Sequence, residues 1–203
     1  NNFVAEHDIL IGADGIHSRV RRQLFGVSHP VYRGYQIWRG IGSYQGNAIK
    51  SGVSSETWGI GKRFGILNAG NGRFTWYGTA NFPEDHVDLP DGRKRELLEM
   101  FDGWHAPICD LIESTNESDI LKNPAFDRKV EKNWGKGLIT QVGDAVHPCT
   151  PNLGQGGGMA IEDGMVLAKS LLREKNLEKA LRRYESLRIS RTKHIMQRSR
   201  LMG

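Results

Sequence analysis

The sequence predicts a mixed α/β fold, and three observations carry that reading. Near each end, at residues 8–25 and 137–172, a short apolar strand runs into a glycine-marked turn and then a helix. Between them, residues 35–82 hold short stretches in which polar and apolar side chains alternate, the pattern of a half-buried antiparallel sheet. The last stretch, residues 177–202, is one more helical pattern.

Taken in order, residues 8–12 (DILIG) form a short buried strand, and Ala13-Asp14-Gly15 turns out of it. Ser18 is placed to cap a helix that runs through Phe25 and stops at Gly26. Residues 35–44 form a strand with Tyr35, Ile37, Arg39 and Ile41 on one face and Gln36, Trp38 and two glycines on the other. Residues 55–61 and 63–67 give two more strands, followed by a turn at 68–72 (NAGNG) rich in residues that tolerate positive φ. Residues 73–82 alternate, Phe74, Trp76, Ala80 and Phe82 against Arg73, Thr75, Tyr77, Thr79 and Asn81. A loop at 83–92 leads to helices at 93–101 and 107–114, with Leu97, Leu98, Phe101, Ile108, Leu111 and Ile112 facing inward. Residues 120–130 return toward the sheet, and Asn133-Trp134-Gly135 turns into a buried strand at 137–142.

The segment after that strand is the most informative. Gly143-Asp144 ends the strand, and Pro148 and Pro151 bar regular helix through the loop. Gly154, Gly156, Gly157 and Gly158 let the backbone approach something flat and close. A helix follows from about Met159, with Ile161, Met165, Ala168 and Leu172 at helical spacing. Such a loop aims backbone N–H groups and the positive end of a helix dipole at whatever lies in front of it. That suits a large, planar, partly anionic ligand; a phosphate site or a plain tight connection are the alternatives.

Composition narrows the class. No apolar run approaches the roughly 20 residues that span a membrane, and no secretory leader pattern opens the chain. Cys109 and Cys149 are the only cysteines, which excludes a disulfide framework and points to a reduced, cytoplasmic setting. His147 and Cys149 lack the further ligands that a metal needs, so no metal site is expected, and the pair is read as loop packing. The net charge of +5 is concentrated in the last helix at Arg188, Arg191, Lys193, Arg198 and Arg200, read as a solvated face or one set against another part of the protein. No recognition motif accompanies it, so nucleic acid is not expected as a partner.

Two stretches carry a family resemblance. GDAVHPCTPNLGQGG…AIEDG resembles the Gly-Asp segment of FAD-dependent aromatic-ring monooxygenases, in the branch of zeaxanthin epoxidase-like and urate hydroxylase-like enzymes. DILIGADGIHSRVRRQLFG resembles the Asp-Gly segment of the same family. The resemblance implies part of an FAD/NAD(P)-binding Rossmann-like domain, an antiparallel β-sheet substrate domain and C-terminal helices. The expected division is 1–33 and 131–175 for the FAD-binding parts, 34–130 for the substrate domain and 176–203 for the basic helix. The family's Gly-x-Gly-x-x-Gly turn is not found, so the chain is expected to be the C-terminal portion of a longer protein, with the missing N-terminal part as its partner.

The resemblance also implies roles. FAD is the cofactor and NADH or NADPH the electron donor. An oxygen atom from O₂ passes through a flavin C4a-hydroperoxide to a small organic substrate, which is hydroxylated or epoxidised. Asp14, with Gly15 and Arg19, is carried over to the FAD pyrophosphate and ribityl region, Asp144 to the ribityl hydroxyls, and Pro151 to the reactive flavin edge. Leu153, Gly154, Gln155, Gly156 and Gly157 supply the loop around the flavin, whose backbone N–H groups suit the negative charge of the reduced ring. Gln36, Trp38, Arg39 and Tyr77 are pocket candidates; as strand aromatics and a surface arginine they are equally read as core and solvent-facing residues. Asp14 is alternatively a plain turn aspartate, and Glu162 and Asp163 are sufficiently explained as helix-start charges. A flavoprotein oxidase or reductase on the same fold is the near alternative, and a non-catalytic binding domain with a basic contact helix is the distant one.

Overall fold

The structure is a computed structural model that describes residues 4–50 and 52–203. Residues 1–3, at the head of the expected 1–33 segment, and Ser51 lie outside the described residues. In chain order the elements are β1 (Leu10–Gly12), α1 (Arg19–Phe25), β2 (Val31–Ser43), β3 (Ser55–Gly59), β4 (Lys62–Gly70) and β5 (Arg73–Asn81). They continue as α2 (Arg93–Met100), α3 (Ile108–Ser114), β6 (Leu121–Asp127), β7 (Ile139–Gln141), α4 (Gly156–Arg173) and α5 (Leu177–Leu201). The chain divides into two compact units, Asn1–Arg33 with Phe126–Gly203, and Gly34–Ala125. Among the described residues no helix is long and apolar enough to cross a membrane.

In the first unit β1 and β7 pair in parallel, Leu10 opposite Ile139 and Gly12 opposite Gln141. Helix α1 packs directly on β1 because residue 12 is glycine: a β-carbon there would lie 2.9 Å from that of Val20. Ser18 caps α1 as expected, its Oγ accepting the Arg21 N–H at 2.9 Å. Helices α4 and α5 close the unit over a core of Trp134, Val146, Leu167, Leu181 and Tyr184. The Tyr184 hydroxyl donates to the Gln141 carbonyl at 3.0 Å, tying α5 to β7.

Two expectations about α4 and α5 are corrected. Helix α4 begins at Gly156, three residues before Met159, so Gly156, Gly157 and Gly158 form its first turn and only Gly154 lies in the loop ahead of it. The residues that mark its helical period, Ile161, Met165 and Leu172, are exposed, and its buried face carries Met159, Asp163, Leu167 and Ser170. The basic residues of α5 are not simply solvated: Arg188 is only 3% exposed, and Arg200 Nε donates to Asp127 at 2.8 Å.

In the second unit the sheet order is β3-β4-β5-β2-β6, with the β3–β4, β4–β5 and β5–β2 pairs antiparallel. One face packs on α2 and α3 through Trp38, Phe64, Ile66, Phe74 and Trp76 against Leu97, Phe101, Ile108, Leu111 and Ile112. Glycines set that contact: a β-carbon on Gly40 would lie 2.5 Å from the Trp76 indole, and one on Gly42 2.5 Å from the Leu111 carbonyl. The expected turn at 68–72 is shorter than its composition suggests. Strand β4 continues to Gly70 through an irregularity at Asn68, and only Asn71 and Gly72, both at positive φ, remain as a two-residue hairpin loop.

Candidate functional site

The first unit brings the two motif segments side by side. After β1, the Asp14 carboxylate accepts the N–H groups of Arg19 at 2.7 Å and Val20 at 3.2 Å. Together with Ser18 it satisfies the donors that open α1. Burial pushes its pKa up, but these bonds and that of Ser18 outweigh burial and hold it below the ordinary carboxylate range. Asp14 therefore does what the plain turn reading requires, while it and the Arg19 side chain remain exposed.

After β7 the chain makes a tight turn at Gly143–Ala145, with Gly143 at φ 58°, where a side chain would be strained. The Gly143 carbonyl accepts the N–H groups of Val146 and His147, each at 3.0 Å. Asp144 projects from this turn and is solvent-accessible. The protein around its carboxyl nevertheless pushes its pKa up by desolvation, an effect tempered by the nearby His147.

The following loop is fixed from α5. Ser199 Oγ donates to the Thr150 carbonyl at 2.6 Å, and Asn152 Nδ2 donates to the Ser199 carbonyl at 2.7 Å. These bonds flank Pro151, which is exposed. Leu153 ends a short turn, Gly154 is left-handed at φ 61°, and Gln155 precedes α4 without capping it by its side chain. Gly157 and Gly158 have open space where a β-carbon would stand, and the first turn of α4 carries no acidic residue. Among the described residues the helix thus opens without a side-chain cap on its N–H groups, an arrangement that favours an anionic or electron-rich group.

Arg21, rather than the neighbouring Arg19, joins the two segments. It is buried, donating from Nη1 to the Ala145 carbonyl at 3.0 Å and from Nη2 to the Ile16 carbonyl at 2.9 Å. Nothing in the sequence marks it, because a basic residue on a short helix ordinarily faces solvent. Asp163, which the sequence places as a helix-start charge, lies in the second turn of α4 and is fully buried. Its Oδ2 accepts the Gly143 N–H at 2.8 Å and lies 2.5 Å from His147 Nε2, and its Oδ1 accepts Arg188 Nε at 2.7 Å. Burial raises the Asp163 pKa, but the His147, Gly143 and Arg188 bonds prevail and lower it. Glu162 pairs with Arg188 and Arg191 rather than with the helix start. Cys149 is partly buried, and burial pushes its thiol up to about 11, which leaves it a protonated packing residue.

The pocket candidates divide between the two faces of the sheet in the second unit. Gln36 and Trp38 are buried on the helix-facing side; Gln36 Nε2 donates to the Pro83 and Glu84 carbonyls, and Trp38 is wholly enclosed. Both sit in the core of the unit, as the alternative reading of the strand expects. Arg39 and Tyr77 are register partners on the opposite face. Arg39 Nη2 donates to Asn123 Oδ1 at 2.8 Å, and the Tyr77 hydroxyl donates to Glu56 at 2.8 Å. Gly65 leaves room for the Tyr77 ring, since a β-carbon there would lie 2.1 Å from it. Glu56 also accepts from Trp58 Nε1 at 2.9 Å and pairs with Arg63 at 3.6 Å, so Glu56, Trp58, Arg63 and Tyr77 form one polar and aromatic cluster.

The chain is similar to known proteins along nearly its whole length. The family model described as an FAD binding domain matches residues 6–199. Aurachin C monooxygenase/isomerase of Stigmatella aurantiaca is 44% identical over 196 residues, covering 97% of this chain and 51% of that protein. A chloroplastic zeaxanthin epoxidase of an Oncidium hybrid cultivar is 40% identical, covering 90% of this chain and 29% of that protein. The crystal structure of Klebsiella pneumoniae HpxO complexed with FAD and uric acid superposes with a TM-score of 0.92 at 29% identity, over 98% of this chain and 51% of that one. The chain thus spans about half the length of the first of these relatives and less of the second. With both motif segments joined through Arg21 and a family match across nearly its whole length, the chain belongs to the FAD-binding-domain family.

Proposed function

We propose that the protein containing this chain is an FAD-dependent monooxygenase that uses NADH or NADPH and O₂ to hydroxylate or epoxidise a small organic substrate. The observation that carries the reading is the opening of α4: uncapped N–H groups, open space before Gly157 and Gly158, and an accessible Asp144 on the adjoining turn. These features fit FAD. Asp144 would accept hydrogen bonds from ribityl hydroxyls. The backbone from Leu153 to Gly157 would face the electron-rich edge of the ring, and Pro151, set by the Ser199 bonds, would lie beside it. Asp14, Gly15 and Arg19 would serve the pyrophosphate side.

When bound, FAD supplies hydride acceptance from NAD(P)H and the activation of O₂; the chain supplies position and electrostatics. In the second unit, Arg39 and Tyr77 are the side chains we assign to the substrate, with the Tyr77 hydroxyl oriented by Glu56. The relatives' names support oxygen transfer to a ring or an alkene: one is a monooxygenase, one an epoxidase, and the superposed structure holds uric acid. The Gly-x-Gly-x-x-Gly turn is assigned to a preceding segment of the same protein, and the setting to the cytoplasm, in keeping with two free cysteines.

The test is substrate-dependent NAD(P)H oxidation by the intact protein under O₂, with product analysis. An oxygenated product formed in step with NAD(P)H consumption is expected. Stoichiometric hydrogen peroxide with no oxygenated product from any aromatic or alkene substrate would assign the protein to the oxidases instead.

A further inference from the structure

The turn bearing Asp144 is held from both sides by buried charged side chains. On one side, Gly143 gives its N–H to Asp163, while its carbonyl receives two backbone N–H groups from the same turn. On the other, the Ala145 carbonyl receives the Arg21 guanidinium. Asp163 is itself fixed by two side chains from different elements, His147 on the loop and Arg188 on α5. Arg188 also donates to the Met159 carbonyl in the first turn of α4 at 3.1 Å. A carboxylate enclosed to this degree is tolerated only when fully paired. Its pairing here converges on the one turn from which an exposed carboxylate projects.

We propose that Asp163, anchored by His147 and Arg188, is a positioning residue for the cofactor: it sets the turn that presents Asp144, and so makes α5 a determinant of FAD affinity. The proposal rests on the assignment of Asp144 to FAD. The physical reason is leverage. Asp144 follows directly on Gly143, so a shift of the Gly143 N–H relocates the Asp144 carboxylate, and displacements on the order of 1 Å at a binding group carry large penalties. The Trp134 ring packs against the imidazole, its centroid 5.3 Å from that of His147. Among the described residues His147 Nδ1 is buried without a partner, so the ring's one polar attachment is to Asp163.

A merely structural role and a positioning role separate in a double-mutant cycle. In the intact protein, FAD affinity is measured by quenching of flavin fluorescence, well below each variant's melting temperature. The variants are Asp144→Ala, Asp163→Asn and the two combined. Positioning predicts that Asp163→Asn weakens FAD binding about tenfold, and that adding it to Asp144→Ala weakens binding by less than about twofold further, because its effect runs through Asp144. Thr140→Val is the control, since it removes the 2.7 Å bond from Thr140 to Glu185 in the same unit and is expected to lower stability with affinity unchanged.

Affinity unchanged in Asp163→Asn, full multiplication of the two effects, or an equal loss in Thr140→Val would overturn the proposal. An Asp144→Ala protein with wild-type affinity would instead overturn the placement of FAD on Asp144. Should Asp163→Asn fail to fold, His147→Gln carries the same cycle, with about a threefold loss expected and an unchanged affinity counting against positioning.

Discussion

His147 Nε2 lies 2.5 Å from Asp163 Oδ2, with both side chains buried, and the same oxygen accepts the N–H of Gly143. One carboxylate thus joins the strand-ending turn, the proline loop and, through Arg188, the last helix. The rest of the ionic network grades outward from it: Glu162, next in sequence, takes the other Arg188 branch and the exposed Arg191.

That outer pair gives a pH signature. Arg191, foremost, and Arg188 lower the Glu162 pKa from 4.5 to about 2. A depressed folded-state pKa stabilises the fold above the unfolded value, and that contribution disappears as pH falls from about 4.5 toward about 2. The stability gap between wild type and Glu162→Gln, measured by urea denaturation, is therefore expected to be widest near neutrality and to close across that acid window. A gap independent of pH would contradict the pairing.

Asp14 caps α1 whether or not it also meets the cofactor. Asp14→Ala is expected to cost about 1 kcal/mol in urea denaturation without FAD present, the usual loss for a missing helix cap. No loss of stability would show that the Arg19 and Val20 bonds contribute nothing to the fold.

Gly40 admits the Trp76 indole to the core of the second unit. Gly40→Ala forces that ring aside and is expected to destabilise by about 1–3 kcal/mol, the range for overpacking. Thermal melting checks this, and a variant as stable as wild type would mean that Trp76 has room to move.

The two faces of the sheet predict opposite phenotypes. Tyr77→Phe removes the hydroxyl that Glu56 orients, and is expected to raise KM severalfold with FAD affinity unchanged. Gln36→Ala strips a buried amide from the Pro83 and Glu84 carbonyls, and is expected to lower stability by about 1–3 kcal/mol while leaving KM intact. Steady-state kinetics and melting of both variants test the assignment together.

Most of the architecture was legible because it rests on local signals. The alternation from Arg73 to Asn81, the Ser18 cap and the Gly26 stop each follow from a few adjacent residues. Pocket residues were legible only by face: the pattern separated Trp38 from Arg39, but which face meets the helices depends on where α2 and α3 pack. Asp163, Arg188 and Arg21 were not legible. Each is a charged residue on a helix, which by pattern belongs in water, and each is buried only because its partner arrives from a distant part of the chain. The exposed stripe of Ile161, Met165 and Leu172 misled in the complementary way, since apolar spacing marks a helix but not the face it buries.

The most direct test of the account is a visible absorption titration of the intact protein and its Asp144→Ala variant with FAD. The account predicts a bound-flavin spectrum for the wild type and a strong loss of binding in the variant. An intact wild-type protein that binds no flavin, or a variant that binds it as tightly as wild type, would contradict the assignment of the Gly143–Ala145 turn and the opening of α4 to the cofactor.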